Sequence, residues 1–300
     1  MRFTRTLTTV LGVTAAVALL TSGCATNAPK TQTPSASTTA QIVKNDAAAA
    51  LVPAAVATSG VLQIGTNLTY APDEFKNAAG EPIGWGIELM TAISKRLGLT
   101  PKFQDSQFDN IIPGIKGGKY QVGIASFTDT KERQKSVDFV DYFTAGGQWA
   151  SKSGTTIDPE NACGKTVAVG TGTYQETDEI PARSKACTDA GKPAIVTLKL
   201  DTQQDITTAV ALGRADALSA DSPVTQYAVS QTEGKLQLAG PIFDSAPFGI
   251  AVAKDSGTMT QAVQTALQSL IDDGTYGRIL TTWGVSAGAI TKVTINGGTS

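Results

Sequence analysis

The sequence contains no histidine, and this absence removes several kinds of active site at once. Without an imidazole there is no Ser/His/Asp or Cys/His catalytic group, and most zinc sites lose their usual nitrogen ligand. The chain has no basic excess either, since 24 Lys and Arg residues stand against 26 Asp and Glu. Because the nucleic-acid backbone favours a basic surface, we expect no nucleic-acid partner. We also expect no metal.

Cysteine is scarce, with three in 300 residues, and the first lies at the end of a targeting segment. That segment has a basic start, MRFTR, and an apolar stretch, LTTVLGVTAAVALL, that is too short for a stable membrane span. The following TSGC resembles the lipobox of bacterial lipoproteins, although Thr21 stands where Leu is usual. We therefore expect a signal peptide over 1–23 and lipid (palmitate) on Cys24. An ordinary secretory signal with an incidental cysteine is the alternative.

If Cys24 carries lipid, Cys163 and Cys187 are left as a pair. An exported chain is in an oxidising compartment, so a disulfide between them is the default expectation. Two buried free thiols are the alternative.

Amino-acid composition separates an expected linker from the folded part of the chain. Residues 24–57 begin with a stretch rich in Thr, Ser, Pro and Ala that lacks aromatic residues, which favours a flexible linker. Near the end of this segment an Ala-rich helix broken at Pro53 is expected, and the folded part should begin near Gly60.

Beyond the linker, strand patterns alternate with helix patterns, which is typical of a parallel sheet. The clearest helix is GIELMTAISKRLG, where apolar residues share one face and Gly98 is placed to end it. The expected fold class is α/β with two lobes, each a mixed sheet flanked by helices. Lobe 1 would comprise 58–145 and 242–300 and lobe 2 would comprise 146–241, so that the chain crosses between them twice.

A set of motifs in this order resembles the extracellular solute-binding proteins of ABC importers, in the polar amino acid family (family 3). They are LQIGTNLTYAPDEF, GEPIGWGIELMTAISKRLGL, FDNIIPGIKGGKYQVGIASFTDTKERQKSVDFVDYF, KTVAVGTGTYQE, LGRADALSAD and IDDGTYGRILTTWGV. The resemblance implies a periplasmic-binding-protein-like fold of type II, in which two lobes close on a ligand.

The resemblance also assigns residues. The arginine of the T-x-T-x-E-R pattern, here Arg133, clamps the ligand α-carboxylate, and a guanidinium fork suits a carboxylate. Asp221 matches the aspartate that meets the α-ammonium, with a plain helix N-cap as the alternative. The loop GTGTYQE is expected to add free N–H groups. In a dinucleotide-binding loop the third glycine would stand where this chain has Gln175, which argues against such a site. We therefore expect no cofactor.

The remaining expected contacts come from aromatic and polar positions, although ordinary core packing is an open alternative for Phe108 and Phe127. The full set of expected ligand-binding residues is Asn67, Tyr70, Phe108, Ser126, Phe127, Thr128, Arg133, Gly172, Thr173 and Asp221.

Three departures from the family pattern concern specificity. Asn67 stands where a pocket aspartate is common, which argues against a cationic side chain. Gly86 replaces a common Asp and is expected to serve as a helix N-cap, and Asp73 replaces a frequent aromatic. A polar or acidic ligand, such as glutamine or glutamate, is the expectation.

The expected function is therefore capture of a free amino acid by a monomeric lipoprotein on the extracytoplasmic face of the cell membrane. It would deliver the ligand to an ABC permease and its ATPase, without catalysis. Two alternatives stay open. One is a dehydratase of a cyclic amino acid precursor with Glu74 as general acid, and the other is a sensing domain for a signalling partner.

Overall fold

The computed structural model describes residues 42–299. The expected signal peptide, Cys24 and the linker before residue 42 lie outside them. The described helices are α1 Asp46–Ala49, α2 Ala54–Ser59, α3 Trp85–Arg96, α4 Ile111–Lys116, α5 Lys131–Gln134, α6 Ile180–Asp189, α7 Gln203–Ala211, α8 Ser222–Gln231, α9 Met259–Asp272 and α10 Thr275–Trp283. The strands are β1 Val61–Thr66, β2 Thr69–Tyr70, β3 Glu74–Lys76, β4 Pro82–Ile83, β5 Thr100–Asp105, β6 Val122–Thr128, β7 Val137–Lys152, β8 Thr166–Gly170, β9 Val196–Leu200, β10 Ala217–Asp221 and β11 Leu236–Ala253.

The strands form an eight-stranded mixed sheet in the order β5-β1-β6-β11-β7-β10-β8-β9 and a small sheet in the order β2-β3-β4. Parallel pairs lie toward both edges, where β1 pairs with β5 and β6, and β8 pairs with β9 and β10. The long strands β7 and β11 pair antiparallel in the middle, with register shifts between Ala239 and Phe243 and between Phe243 and Ala246. The α/β class expected from the alternation is confirmed.

Helices cover both faces of each half of the sheet. On the β1–β6 half, α3, α9 and α10 supply a large apolar cluster on one side, and α4 supplies another on the opposite side. On the β8–β10 half, α6 packs with one cluster and α7 and α8 pack with the other. Helix α3 shows why the pattern was readable: Ile87, Met90 and Ile93 are buried, and Gly98 adopts the left-handed φ of 73° that favours glycine.

The expected start of the folded part near Gly60 is wrong, because packed structure already begins some residues before it. Helices α1 and α2 are separated at Pro53 as expected, yet Ala48 is 0% exposed within the large cluster on α3 and α9. The Thr258 hydroxyl donates to the Leu51 carbonyl at 2.5 Å. Residues 42–57 are therefore part of the body rather than of the linker. The Ala-rich composition hid this, because small apolar residues also pack closely against a core.

The expected disulfide is confirmed, since Cys163 and Cys187 are joined with their Cα atoms 5.5 Å apart. It ties the segment before β8 to the end of α6. Within residues 42–299, no helix has the length and apolar character needed to cross a bilayer.

Candidate ligand-binding site

A cavity lies where strands from both halves of the sheet end. Asn67 follows β1, Thr128 ends β6, Thr171 follows β8, Asp201 follows β9 and Asp221 ends β10. The carboxyl ends of parallel strands are a common place for ligands, because several backbones and loops converge there. The lining residues are Asn67, Thr69, Tyr70, Phe108, Ala125, Ser126, Thr128, Arg133, Gly170, Thr171, Thr173, Tyr174, Gln175, Asp201, Thr202, Gln203, Ile206 and Asp221.

Arg133 is a cation in the cavity wall without a carboxylate partner. Its guanidinium donates to the Thr128 carbonyl at 2.9 Å and to the Gly172 carbonyl at 3.0 Å, and it lies over the Phe108 ring at 5.3 Å. It forms no ion pair with any residue in 42–299. Burial lowers its pKa from 12.5 to about 10, so the side chain stays charged at neutral pH. Such a group is suited to an anion.

Asp221 is a buried carboxylate on the same cavity. It accepts from the Tyr70 hydroxyl at 2.8 Å and from the Gln175 amide at 2.9 Å. Although it precedes α8, its side chain makes no capping hydrogen bond, so capping alone does not describe its role. Burial raises its pKa from 3.8 to about 6, and the hydrogen bonds and Arg133 oppose that rise. The carboxylate is therefore ionised at neutral pH and can accept from a cation.

The GTGTYQE turn contributes differently from the expectation. The Gly172 N–H donates to Glu176 at 3.0 Å and the Thr173 N–H donates to the Gly170 carbonyl at 3.3 Å, so both expected donors already have partners. Gly172 itself does not line the cavity. Its carbonyl instead accepts from Arg133, and Thr173 lines the wall. At Gly172 and Thr173 the expectation of free N–H groups is therefore wrong, because the loop satisfies both donors itself.

Of the two expected phenylalanines, only Phe108 lines the cavity. Phe127 is buried one layer below, with its ring centroid 4.7 Å from that of Phe108. For Phe127 the alternative of core packing is therefore the one that the structure shows. Asn67 lies in the wall, where its amide donates to the Ser106 carbonyl at 3.0 Å and its oxygen accepts from Thr69. Ser126 and Thr128 also line the wall, as expected.

Sequence reasoning missed Asp201 and Gln203, which enter the cavity from the end of β9 and the start of α7. Asp201 accepts from the Thr171 hydroxyl at 2.8 Å and from the Gln107 amide at 3.3 Å. Gln203 is 6% exposed, and neither its amide nitrogen nor its oxygen has a hydrogen-bond partner among the described residues. The available signal was their position after a strand, at the same sheet edge as Asp221.

Asp73 and Glu74 do not reach the cavity. Both are fully buried and lie behind Ser126. The expectation for Gly86 is also corrected: α3 begins at Trp85 after Gly84, so Gly86 lies inside the helix. Among the described residues, no group of three or more Cys, Asp or Glu side chains is arranged to hold a metal ion.

The sequence profile of the bacterial extracellular solute-binding proteins, family 3, matches residues 62–286. The chain belongs to this family. The relatives and solved structures described next are amino-acid-binding proteins.

The arginine-binding protein ArgT of Corynebacterium glutamicum is 42% identical over 249 residues, which is 82% of each chain. A solved structure of an ancestral arginine-binding protein bound to arginine superposes with a TM-score of 0.69 at 35% identity, covering 75% of this chain and 98% of that one. Another, of an ancestral arginine-binding protein bound to glutamine, has a TM-score of 0.69 at 33% identity, with coverage of 75% and 98%.

Proposed function

We propose that the cavity binds the zwitterionic end of an L-α-amino acid between Arg133 and Asp221. The observation that carries this proposal is the guanidinium of Arg133, which lines the cavity without an ion-pair partner among the described residues. A ligand α-carboxylate would provide that partner, and the α-ammonium would be held by Asp221. Both charges of the ligand are then matched, which a buried zwitterion requires.

Ligand capture would use a hinge between the two lobes. We propose that β7 and β11, which cross the middle of the sheet, connect lobe 1 to lobe 2, with lobe 1 beginning near residue 42 rather than residue 58. Tyr70 contacts Asp221, and Arg133 contacts Gly172. These contacts would exist only when the lobes are closed. A ligand touching both lobes would therefore shift the equilibrium toward the closed form.

The ligand side chain should end in hydrogen-bond donors. Its distal group would meet Asp201 and the unpartnered Gln203 amide, and Arg133 is the one charged donor in the lining set. A glutamate side chain would place a second carboxylate near Asp201 without a cation to match it. We therefore retain glutamine, whose carboxamide can pair with Gln203, and replace glutamate by arginine, whose guanidinium can donate to Asp201. The carboxylate of Asp201 outweighs the argument against a cationic side chain that was based on Asn67.

The family places this chain among extracellular solute-binding proteins, and we propose the finer setting expected from the sequence. That setting is a monomeric lipoprotein anchored through Cys24, delivering its ligand to an ABC permease and its ATPase without catalysis or a cofactor. The dehydratase alternative loses its only candidate acid, because Glu74 is 0% exposed and does not line the cavity. No specific observation favours the sensing-domain alternative.

Isothermal titration calorimetry tests the proposal. The protein is unfolded and refolded to remove carried ligand, then titrated with each proteinogenic amino acid, including L-arginine, L-glutamine and L-glutamate. We expect binding of arginine or glutamine at least about tenfold tighter than glutamate, equivalent to about 1.4 kcal/mol. Folded protein that binds none of the proteinogenic amino acids would overturn the proposed function, and preferential glutamate binding would overturn the side-chain assignment.

A further inference from the structure

Two carboxyl groups are completely buried directly behind the cavity wall. Asp73 and Glu74 are each 0% exposed, on the segment that leads from β2 into β3. The titratable groups that face them are Asp221 and the hydroxyls of Tyr70 and Tyr142, and no lysine or arginine among the described residues acts on either carboxyl. Two unpaired negative charges in such a place would be strongly unfavourable. At least one of the carboxyls should therefore be neutral.

The hydrogen bonds indicate which one. Asp73 accepts from the Trp85 indole N–H at 2.6 Å and from the Ser126 hydroxyl at 2.8 Å. Glu74 is also within 3.2 Å of the same Ser126 oxygen. A serine hydroxyl carries one hydrogen, and Asp73 has the shorter contact to it. The remaining contact is satisfied if a protonated Glu74 donates to Ser126, which in turn donates to Asp73.

Two further features fit a neutral Glu74. A Cβ atom on Gly86 would lie 2.1 Å from the Glu74 carboxyl oxygen, so the glycine provides the room that this carboxyl occupies. The buried Tyr142 hydroxyl has no hydrogen-bond partner among the described residues, so it does not supply Glu74 with a compensating donor. An ionised Glu74 would depend on the shared Ser126 hydrogen alone.

Ser126 needs such support. It lines the cavity with a φ of 50°, which is in the left-handed region that non-glycine residues rarely adopt. Its side chain is fixed from behind by Asp73 and Glu74. Loss of the Glu74 hydrogen would replace one of these bonds by repulsion between two carboxylates. The position of Ser126 in the cavity wall would then be less well defined.

We propose that Glu74 is a positioning residue which, in its protonated form, holds Ser126 in the geometry that binds the amino acid, so that ligand affinity falls when Glu74 ionises. The effect on affinity rests on the proposed function, but the protonated state of Glu74 does not. Burial, together with the neighbouring Asp73 charge, raises the pKa of Glu74 well above 4.5, in agreement with the hydrogen-bond pattern.

The raised pKa of Glu74 determines how the stability of the folded state depends on pH. Because the folded state holds the proton more tightly than the unfolded state, the stabilisation is fully present below the ordinary pKa of 4.5. It is lost as the pH rises through the raised pKa of the folded state. Over that window the unfolding equilibrium constant should change by up to about tenfold per pH unit.

The test compares the wild-type chain with Glu74→Gln, in which a neutral amide can still donate to Ser126. Glu81→Gln is the matched control, since Glu81 is exposed and lies in the following turn. Thermal unfolding without ligand and calorimetry with L-arginine and L-glutamine are run from about pH 5 to about pH 9.

As the pH rises, we expect the wild type and Glu81→Gln to lose more stability than Glu74→Gln does. Their affinity for the amino acid should also fall at least about tenfold more than that of Glu74→Gln. Parallel stability profiles for all three proteins, or a Glu74→Gln variant that does not fold, would overturn the protonated state. Parallel affinity profiles with divergent stability would overturn the positioning role. A wild type that binds no amino acid would instead refute the proposed function. The unfolding comparison would still show whether Glu74 is protonated in the folded protein.

Discussion

Replacing Asp221 by asparagine should remove most of the affinity for the ligand while leaving the fold intact. The side chain is buried and bound by Tyr70 and Gln175, and asparagine can keep its oxygen near the Tyr70 hydroxyl. What is lost is the negative charge opposite the α-ammonium. Truncating one member of a buried, hydrogen-bonded charge pair costs about 2–5 kcal/mol, which corresponds to about 30- to 5,000-fold in Kd.

The same carboxylate predicts how affinity depends on pH. Its pKa is raised to about 6, and only the ionised form attracts an ammonium. Protonation of Asp221 should therefore lower wild-type affinity by up to about tenfold per pH unit as the pH drops below 6. The stability contribution has the opposite sign: it is present below the ordinary 3.8 and lost as the pH rises through about 6.

The assay is calorimetry with L-arginine and L-glutamine at several pH values, with Asp189→Asn as the control because Asp189 is exposed on α6. We expect Asp221→Asn to bind weakly and to lack the decline below pH 6 that is predicted for the wild type. If Asp221→Asn binds within about threefold of the wild type and keeps its pH profile, the ammonium assignment is refuted.

Three other substitutions test separate parts of the structure. Gln203→Leu should weaken glutamine binding by about 1–3 kcal/mol through loss of the side-chain hydrogen bonds, with arginine less affected, and calorimetry with both ligands decides this. Replacing Cys163 and Cys187 by serine should lower the free energy of unfolding by about 3 kcal/mol in the chain-entropy model, measured by urea denaturation; an unchanged midpoint contradicts it. Gly249→Ala should destabilise by about 1–3 kcal/mol, because the new methyl would lie 2.5 Å from Phe139 Cβ; unchanged thermal unfolding would count against this packing.

Much of the fold was readable from local patterns. Helix α3 combines a buried apolar face with Gly98 at its end, and both signals are local. The start of the body was not readable in this way. Whether Ala48 and Val52 pack or remain solvated depends on the face that α9 presents to them, and that face is more than 200 residues away along the chain.

The candidate site shows the same division. Arg133, Asp221 and Tyr70 stand in recognisable motifs, and the structure brings all three to the cavity. For Asp201 and Gln203 the local signal was only their position after a strand, and the arrangement of β9 beside β8 is what brings them to the cavity.

The buried carboxyls behind Ser126, those of Asp73 and Glu74, are held where three separate segments of the chain meet. The glycine at position 86 makes sense only once the carboxyl of Glu74 is seen to occupy the space that a side chain would fill. Sequence separation conceals this relation, because the segment before β3 and helix α3 meet only in the folded chain.

The most direct measurement of the central claim is a double-mutant cycle between Arg133 and the α-carboxylate of the ligand. Calorimetry compares the wild type and Arg133→Ala, each with L-arginine and L-argininamide and with L-glutamine and L-glutamine α-amide. The account predicts that the wild type loses about 2–5 kcal/mol when the carboxylate becomes an amide, and that Arg133→Ala barely distinguishes the two ligands. If Arg133→Ala prefers the carboxylate ligand as strongly as the wild type does, Arg133 does not bind the α-carboxylate.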